Sequence, residues 1–288
     1  MASYPLAIEI QTVADCNSKC IICPNNNLNY HGHMEEKLFR KIIDEVAEWD
    51  RDILLILYLN GEPFLDRLLV DRIMYVNKKC PKAKIELSTN LSLVDDKMIE
   101  KLQGTHIDDF RISFFGFSEK TYHKMMPGLH WEQSYANLKY LLEYPYKKMI
   151  FNKISIVMIK HPWIPMEEYD EMQNFCEKYN VELNVWGFLD RAGNVTDFSN
   201  DIFIDYDKKV LKCEQNRPRE RLHIYYDGDI ILCCQDWSKS CVLGNIAEHS
   251  LIDIWMGEKY EQIRSMTCNT ISQNLPKICR HCKLMEVE

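Results

Sequence analysis

Three closely spaced cysteines near the start of the chain have the residue type and spacing of a metal site. Residues 14–26 read ADCNSKCIICPNN, so that three and then two residues separate Cys16, Cys20 and Cys23. A structural zinc site takes four protein ligands, and a fully ligated 4Fe-4S cluster takes four cysteines. The asparagines at 25–27 are poor iron ligands. Three thiolates therefore leave one metal position open, as catalytic metal sites do.

Four further cysteines near the end of the chain form a second candidate ligand set. Cys213 is followed by fourteen residues, Gly228, four residues and Cys233, and the pair Cys279 and Cys282 comes later in the segment CRHC. Four thiolates that include a C-x2-C pair suit a structural zinc ion as well as a 4Fe-4S cluster. The spacing by itself leaves both interpretations open.

Short polar segments follow two of the predicted strands. In NGEP (60–63), Gly61 lets the backbone approach a ligand closely, and Glu62 is able to bind a cationic group. In STN (88–90), Ser88 and Asn90 are short polar side chains suited to ribose hydroxyls. The alternatives are a simple turn for the first segment and a strand-end cap for the second.

Alternating strands and helices are predicted to position these residues. The predicted strands are 7–11, 53–60, 84–89, 109–115, 151–159 and 181–187. The predicted helices are 35–49, 65–79, 95–103, 118–126, 131–143 and 166–179. Six strands in βα order imply a parallel sheet, and parallel barrels place their active sites past the carboxyl ends of the strands. The sequence therefore predicts an α/β domain over residues 1–200.

The alternation stops near residue 200, which predicts a second, cysteine-rich module over residues 201–288. Residues 221–234 read as a hairpin around Asp227 and Gly228, and residues 250–266 suggest a short helix. Seven of the twelve cysteines lie between Cys213 and Cys282. We expect this module to be of the α+β type.

Composition limits the classes of function. The chain has 288 residues and a formal charge of -8, which disfavours a nucleic-acid partner. The first residues, MASYPLAIEI, are unlike a signal peptide, and no long uncharged apolar run suggests membrane insertion. We therefore expect a cytoplasmic protein without membrane association. In that compartment the cysteines are better interpreted as metal ligands or buried apolar residues than as disulfides.

These motifs together resemble those of the radical S-adenosylmethionine (SAM) enzymes. CNSKCIIC matches the C-x3-C-x2-C loop of that family, GEP its segment for the SAM amino group, and STN its ribose-contact segment. The resemblance implies a partial (β/α)6 barrel in which SAM completes a 4Fe-4S cluster and is cleaved to a 5′-deoxyadenosyl radical. It also implies an external electron donor of the flavodoxin or ferredoxin type. The implied cofactor-binding residues are Ile22, Gly61, Glu62, Pro63, Ser88, Asn90 and Ser113. Ile22 stands where the family often has an aromatic residue.

The second cysteine set resembles the SPASM and twitch extensions of the same family. The resemblance implies one auxiliary 4Fe-4S cluster on Cys213, Cys233, Cys279 and Cys282. It also aligns DRAGN with a segment that makes Arg191 a candidate for contact with substrate or SAM.

By resemblance, the favoured function is hydrogen abstraction from a small polyol, sugar or aminoglycoside-like substrate, with oxidation of an alcohol to a ketone. The first predicted strand begins close to Met1, whereas peptide-modifying relatives often carry an additional leader-binding domain. Three alternatives stay open: a radical epimerase with Cys234 or Cys241 as hydrogen donor, a maturase of ribosomal peptides, and a two-cluster electron carrier.

Overall fold

The computed structural model describes residues 4–195, 210–268, 275–282 and 284–287. Its first part alternates strands and helices as the sequence predicts. The strands are β1 (Ala7–Ile10), β2 (Ile53–Ile56), β3 (Ala83–Thr89), β4 (Ile107–Ser113), β5 (Phe151–Lys160) and β6 (Glu182–Gly187). The helices are α1 (Glu36–Glu48), α2 (Leu69–Lys79), α3 (Asp96–Lys101), α4 (Glu119–Met125), α5 (Trp131–Glu143), α6 (Lys147–Ile150) and α7 (Met166–Tyr179).

The six strands pair in chain order, and every pairing between consecutive strands is parallel. The predicted α/β class with a partial six-stranded barrel is confirmed. One predicted strand is too long: β2 ends at Ile56 and not at residue 60. Residues 57–60 instead lead into the loop that contains Gly61, so the polar segment after β2 starts earlier than the sequence suggests.

The elements after residue 210 do not all form a separate layer. They are β7 (Val210–Cys213), α8 (Arg217–Glu220), β8 (Arg221–Ile224), β9 (Asp229–Ile231), β10 (Val242–Asn245), α9 (Leu251–Met256), α10 (Glu258–Cys268), α11 (Lys277–Arg280) and β11 (Met285–Val287). The predicted hairpin is present as β8 and β9, and β8 also pairs in parallel with β1. The barrel sheet therefore continues into the C-terminal part in the order β10-β9-β8-β1-β2-β3-β4-β5-β6.

The two faces of the sheet differ in polarity because side chains alternate along each strand. On the helix-covered face, Ile8 lies in register with Leu55, which pairs with Ile85, and all three are fully buried in the core. On the opposite, inner face, Glu9 lies in register with His223 on one side and Ile56 on the other.

The polar row continues across the inner face. Ile56 pairs with Glu86, Glu86 with Asp109, and Asp109 with Lys153. Two residues further along β3 and β4, Ser88 pairs with Arg111, and Arg111 pairs with Ser155 of β5. Charged and hydroxyl side chains therefore line the face that the helices leave free.

Within the described residues, none of the helices combines the length and apolarity needed to cross a lipid bilayer.

Candidate active site

The loop that carries the first three cysteines begins directly after β1 and is held by the end of α4. The amide of Lys19 donates to the carbonyl of Pro127 over 2.6 Å, and the amide of Ile21 donates to the carbonyl of Met125 over 3.1 Å. Gly128 has a φ of 93°, and a Cβ there would lie 3.0 Å from the Asn17 carbonyl oxygen. No feature of the sequence indicated that the end of α4 supports this loop.

The three thiols of the loop share one buried environment. Burial raises the pKa of Cys16 to about 12, and the charges of Glu62 and Cys23 add to the rise. Burial likewise raises the pKa of Cys20, with further contributions from Cys23 and Cys16. Partly buried thiols with raised pKa values become thiolates readily only when they ligate a cationic centre.

The separation of the sulfur atoms argues against a mononuclear zinc site. In the part of the chain that is described, two groups of three potential ligands have their donor atoms within 4.8 Å of one another, and neither cysteine set is among them. Zinc–sulfur bonds of about 2.3 Å would bring tetrahedral ligands closer than that. A cubane places a different iron against each sulfur and so suits wider spacing.

The GEP segment packs directly on the cysteine loop. Gly61 has a φ of 95°, and a Cβ there would lie 2.4 Å from the carbonyl oxygen of Val13. The amide of Glu62 donates to the carbonyl of Asp15 over 2.8 Å, and Pro63 opens a short 3₁₀ turn. Only glycine fits the first position, because any side chain would collide with the backbone before Cys16.

The Glu62 carboxylate binds the segment that follows β3. Its Oε1 accepts from the Thr89 hydroxyl over 2.6 Å and from the Phe64 amide over 3.2 Å, and its Oε2 accepts from the Asn90 amide over 2.8 Å. Burial raises the pKa of Glu62 to about 7, and these three hydrogen bonds oppose the rise. A carboxylate has about four acceptor positions, so one is left for another donor.

The residues after β3 are linked back to the cysteine loop through side chains. Asn90 Nδ2 donates to Asn17 Oδ1 over 2.9 Å, and Asn17 Nδ2 donates to the Ser92 hydroxyl over 2.8 Å. Asn90 also lowers the pKa of Cys16 by a hydrogen bond. The sequence analysis included Thr89 in the STN segment but named only Ser88 and Asn90 as site residues, and it missed Asn17, for which residue type and spacing carried no signal.

Three further residues that the resemblance assigned to SAM binding make no described contact with the cysteine loop or the GEP segment through hydrogen bonds. Ser88 and Ser113 are partly buried on the inner face, on the strands β3 and β4. Ile22 is buried and belongs to the apolar core. The assignment of these three residues to SAM binding stays a prediction.

The segment DRAGN after β6 lies between the two cysteine sets. Arg191 has a φ of 55°, and its guanidinium lowers the pKa of Cys23, which burial raises. The adjacent Asp190 is buried, and its charge contributes to the raised pKa of Cys282. Arg191 thus lies near the first cysteine set and Asp190 near the second, and the contact of Arg191 with substrate or SAM stays a prediction.

Three of the four predicted auxiliary ligands lie together. Burial raises the pKa of Cys279, and the nearby charges of Cys282 and Cys213 raise it further. Cys213 ends β7 and pairs with Met285 of β11, which fixes it beside the C-terminal pair. Cys233 follows β9, and a hydrogen bond and charge from its sulfur raise the pKa of Arg217.

The two candidate hydrogen donors lie in different surroundings. Cys234 accepts a hydrogen bond from Arg217, and its sulfur lies within 4.8 Å of ligand atoms of Glu9 and His223. Cys241 donates from its amide to Asp236 Oδ2 over 2.8 Å and contributes to the raised pKa of Cys279. Cys234 is therefore associated with the barrel strands, and Cys241 with the auxiliary cysteines.

The profile of the Radical SAM superfamily matches residues 10–176, which is more than half of the chain. The chain belongs to the radical SAM superfamily. A second profile, SPASM, an iron-sulfur cluster-binding domain, matches residues 213–283. This radical SAM protein accordingly uses SAM, a 4Fe-4S cluster at the SAM site and an auxiliary iron-sulfur cluster. The three partly buried thiols of the first set and the four cysteines of the second fit the cysteine ligation of these clusters.

Among curated proteins, this radical SAM protein is 20% identical to the S-adenosyl-L-methionine-dependent 2-deoxy-scyllo-inosamine dehydrogenase of Niallia circulans, over 98% of this chain and 94% of that protein. The structure of BtrN in complex with AdoMet and 2-DOIA matches with a TM-score of 0.64 at 17% identity, over 98% and 94% of the two chains. Streptococcus suis SuiB bound to precursor peptide SuiA matches with a TM-score of 0.70 at 17% identity, over 98% of this chain and 71% of SuiB.

Proposed function

We propose that this radical SAM enzyme oxidises a secondary alcohol of a small polyol, sugar or aminocyclitol to a ketone. The observation that carries the proposal is the polar inner face of the sheet. Asp109 Oδ1 and Ser155 Oγ are buried there without a hydrogen-bond partner among the described residues. Buried polar atoms are rarely left unsatisfied, so a ligand rich in hydroxyl or amino groups is the natural partner.

A charged network fixes the surroundings of these unpaired atoms. Arg111 Nη1 binds Glu86 Oε1 over 2.7 Å, and its Nη2 binds Asp109 Oδ2 over 2.7 Å. The Tyr58 hydroxyl donates to the same Glu86 oxygen over 2.7 Å. Because each charged group is held by another, a substrate meets preorganised donors and acceptors.

When bound, SAM and the two clusters supply a carbon-centred radical that abstracts hydrogen and an acceptor for one electron. The chain's own residues position the reactants. Glu62, Asn90 and Asn17 organise the loops at the carboxyl ends of the strands, and the Glu86–Arg111 pair lies one to three residues lower on the inner face. The small molecule is held between these two layers.

The comparisons support a small substrate. The curated dehydrogenase, which acts on 2-deoxy-scyllo-inosamine, matches over 98% of this chain and 94% of its own length. The higher TM-score of SuiB favours peptide modification as the second candidate. Epimerisation with a cysteine hydrogen donor is the third, and it requires Cys234 or Cys241 to face the substrate.

The test is anaerobic incubation of the reconstituted enzyme with SAM, a reductant and a panel of polyols, in deuterated buffer. A dehydrogenase forms deoxyadenosine together with a product that is two hydrogens lighter, and it tolerates Cys241→Ala and Cys234→Ala. An epimerase forms a product of inverted configuration with one solvent deuterium, and one of these substitutions stops inversion. Turnover of peptides but of no polyol would overturn the proposal, and Cys16→Ala is the inactive control.

A further inference from the structure

Glu9 is a buried carboxylate on the inner face whose position points to a role in the chemistry. Its Oε1 accepts a hydrogen bond from Arg221 Nη1 over 3.0 Å and lies 3.3 Å from His223 Nε2, within ion-pair distance. Burial raises the pKa of Glu86 and of Tyr58, and the charge of Glu9 adds to both rises. Glu9 is in register with Ile56, which pairs with Glu86 of the polar network. Glu9 is only 6% exposed.

On its other side, Glu9 lies near Cys234, the residue that follows the predicted auxiliary ligand Cys233. Ligand atoms of Glu9, His223 and Cys234 lie within 4.8 Å of one another. Cys234 directly follows Cys233, a predicted auxiliary ligand, in the chain. Arg217 donates a hydrogen bond to the Cys234 sulfur. Among the described carboxylates of the inner face, Glu9 is therefore the one that lies between the Glu86–Arg111 network and the segment with Cys233 and Cys234.

The distance of Glu9 from the loops of the SAM site leaves space for a substrate. Glu9 is in register with Ile56, which pairs with Glu86, and Glu86 precedes Thr89 by three residues. At about 3.3 Å per residue, this row lies about 10 Å below the loops that organise the SAM site. That interval accommodates the reactive end of the cofactor and one small ring.

Other groups are less suited to remove a proton at this level. Glu86 Oε1 is occupied by Tyr58 and Arg111. Asp109 has an unpaired Oδ1, but it lies on β4, three strands away from β1 and thus farther from Cys234 than Glu9 is. Arg191, which the sequence suggested, is a guanidinium and has no lone pair to accept a proton. Within the described part of the inner face, Glu9 is left as the acceptor closest to the auxiliary cysteines.

We propose that Glu9 accepts the hydroxyl proton of the substrate and that His223 positions it. This inference rests on the proposed alcohol oxidation. After hydrogen abstraction from the carbinol carbon, the O–H bond breaks, its proton goes to Glu9, one electron goes to the auxiliary iron-sulfur cluster, and the C=O double bond forms. Proton and electron thus leave toward the same side of the barrel.

The charge state of Glu9 agrees with this role. Burial raises its pKa, but the opposing effects of His223, Arg221 and Arg217 are larger, and the pKa is lowered to about 2. The carboxylate is consequently ionised at any working pH. A weak base suffices because the proton leaves together with the electron, and the O–H group becomes strongly acidic as the electron departs.

The experiment compares Glu9→Gln with Asp109→Asn, a carboxylate of the same row that lies away from Cys234. The substrate carries deuterium at the carbinol carbon. We expect Glu9→Gln to keep its iron and to transfer deuterium to deoxyadenosine, while ketone per deoxyadenosine falls at least fivefold. An organic radical should accumulate in the electron paramagnetic resonance spectrum of frozen samples. Asp109→Asn should change the substrate concentration that gives half-maximal activity. The ratio of ketone to deoxyadenosine should stay the same.

An unchanged ratio without radical accumulation in Glu9→Gln would overturn the inference. If that variant loses iron, Glu9→Asp and His223→Gln test the same point, since both disturb the position of the carboxylate and should lower the ratio. Failure of the proposed function would look different: the unmodified enzyme would cleave SAM but form no ketone from any polyol.

Discussion

The hydroxyl of Tyr30 donates to the hydroxyl of Tyr225 over 3.0 Å, and this contact joins the cysteine loop to the C-terminal part of the chain. Asn60 Nδ2 donates to both oxygens, over 3.2 Å and 3.0 Å. Because Asn60 directly precedes Gly61, the three side chains connect the cluster loop, the GEP segment and the hairpin after β8. Burial raises the pKa of Tyr30, as expected for a hydroxyl that stays neutral and hydrogen-bonded.

Removal of the Tyr30 hydroxyl should therefore loosen the cluster loop. Tyr30→Phe leaves Asn60 and Tyr225 short of a partner, and we expect a loss of about 1–3 kcal/mol in the free energy of unfolding. Thermal unfolding of the reconstituted protein measures the change. Tyr140→Phe, in a tyrosine that is 40% exposed on α5, is the matched control and should have little effect. Equal melting temperatures for both variants would contradict the assignment.

Gly32 provides a steric test of the contact between the cysteine loop and the β8–β9 hairpin. Its φ is 150°, and a Cβ there would lie 2.5 Å from Cε2 of Tyr226. We expect Gly32→Ala to push the loop away from the hairpin and to lower the iron retained at the SAM cluster. Gly104→Ala is the control, because a Cβ there meets no atom within 4 Å although its φ of 86° is also positive. Iron analysis after anaerobic gel filtration measures the iron that each variant retains.

The two cysteine sets should load independently with metal. The reconstituted protein should carry about eight irons and eight sulfides, four per cubane. Replacement of Cys16, Cys20 and Cys23 by Ala should remove about half of the iron and all SAM cleavage. Replacement of Cys279 and Cys282 should spare the SAM cluster. Stoichiometric zinc in place of the second half of the iron would contradict this result.

SAM affinity should depend on pH through Glu62. Burial raises the pKa of this carboxyl from 4.5 to about 7, so that below pH 7 a proton must leave before Glu62 can bind the SAM ammonium. We expect affinity to rise with pH up to about 7 and to level off above it. Glu62→Gln should weaken binding by roughly 10- to 100-fold and abolish the pH dependence.

The control for Glu62 is Glu168→Gln. Glu168 is also buried and accepts from Phe117, Ser118 and Thr121, but it caps α4 and does not contact the GEP segment. Its substitution should lower stability without altering the pH profile of SAM binding. Equilibrium dialysis with cluster-loaded protein measures both affinities, and parallel profiles in Glu62→Gln and the unmodified protein would refute the role of Glu62.

The Glu9–His223 pair should make stability fall at alkaline pH. Burial lowers the pKa of His223, but Glu9 and Cys234 outweigh that effect and raise it from 6.5 to about 9. A raised folded-state pKa contributes stability that is complete below pH 6.5 and is lost as the pH rises through 9. We expect the melting temperature to decline over this interval, and less steeply in Glu9→Gln. An identical decline in both proteins would mean that the imidazolium is not held by Glu9.

The sequence by itself determined the α/β fold and the identity of the cofactor-binding motifs. Cluster ligation depends on residue type and on short spacings, as in Cys16, Cys20 and Cys23, and strand alternation depends on local periodicity. Both are properties of contiguous residues, so the sequence contained them in full. The parallel direction of the six strands followed from their alternation with helices.

Only the tertiary structure decided how the C-terminal part meets the barrel and which side chains share the inner face. Residues 223 and 9 are distant in sequence, and their contact depends on the parallel pairing of β8 with β1, which no local pattern encodes. The same holds for Thr89 beside Glu62 and for Tyr225 beside Tyr30. Such contacts are fixed by packing and sheet register, because a shift of one residue would turn every inner side chain to the opposite face.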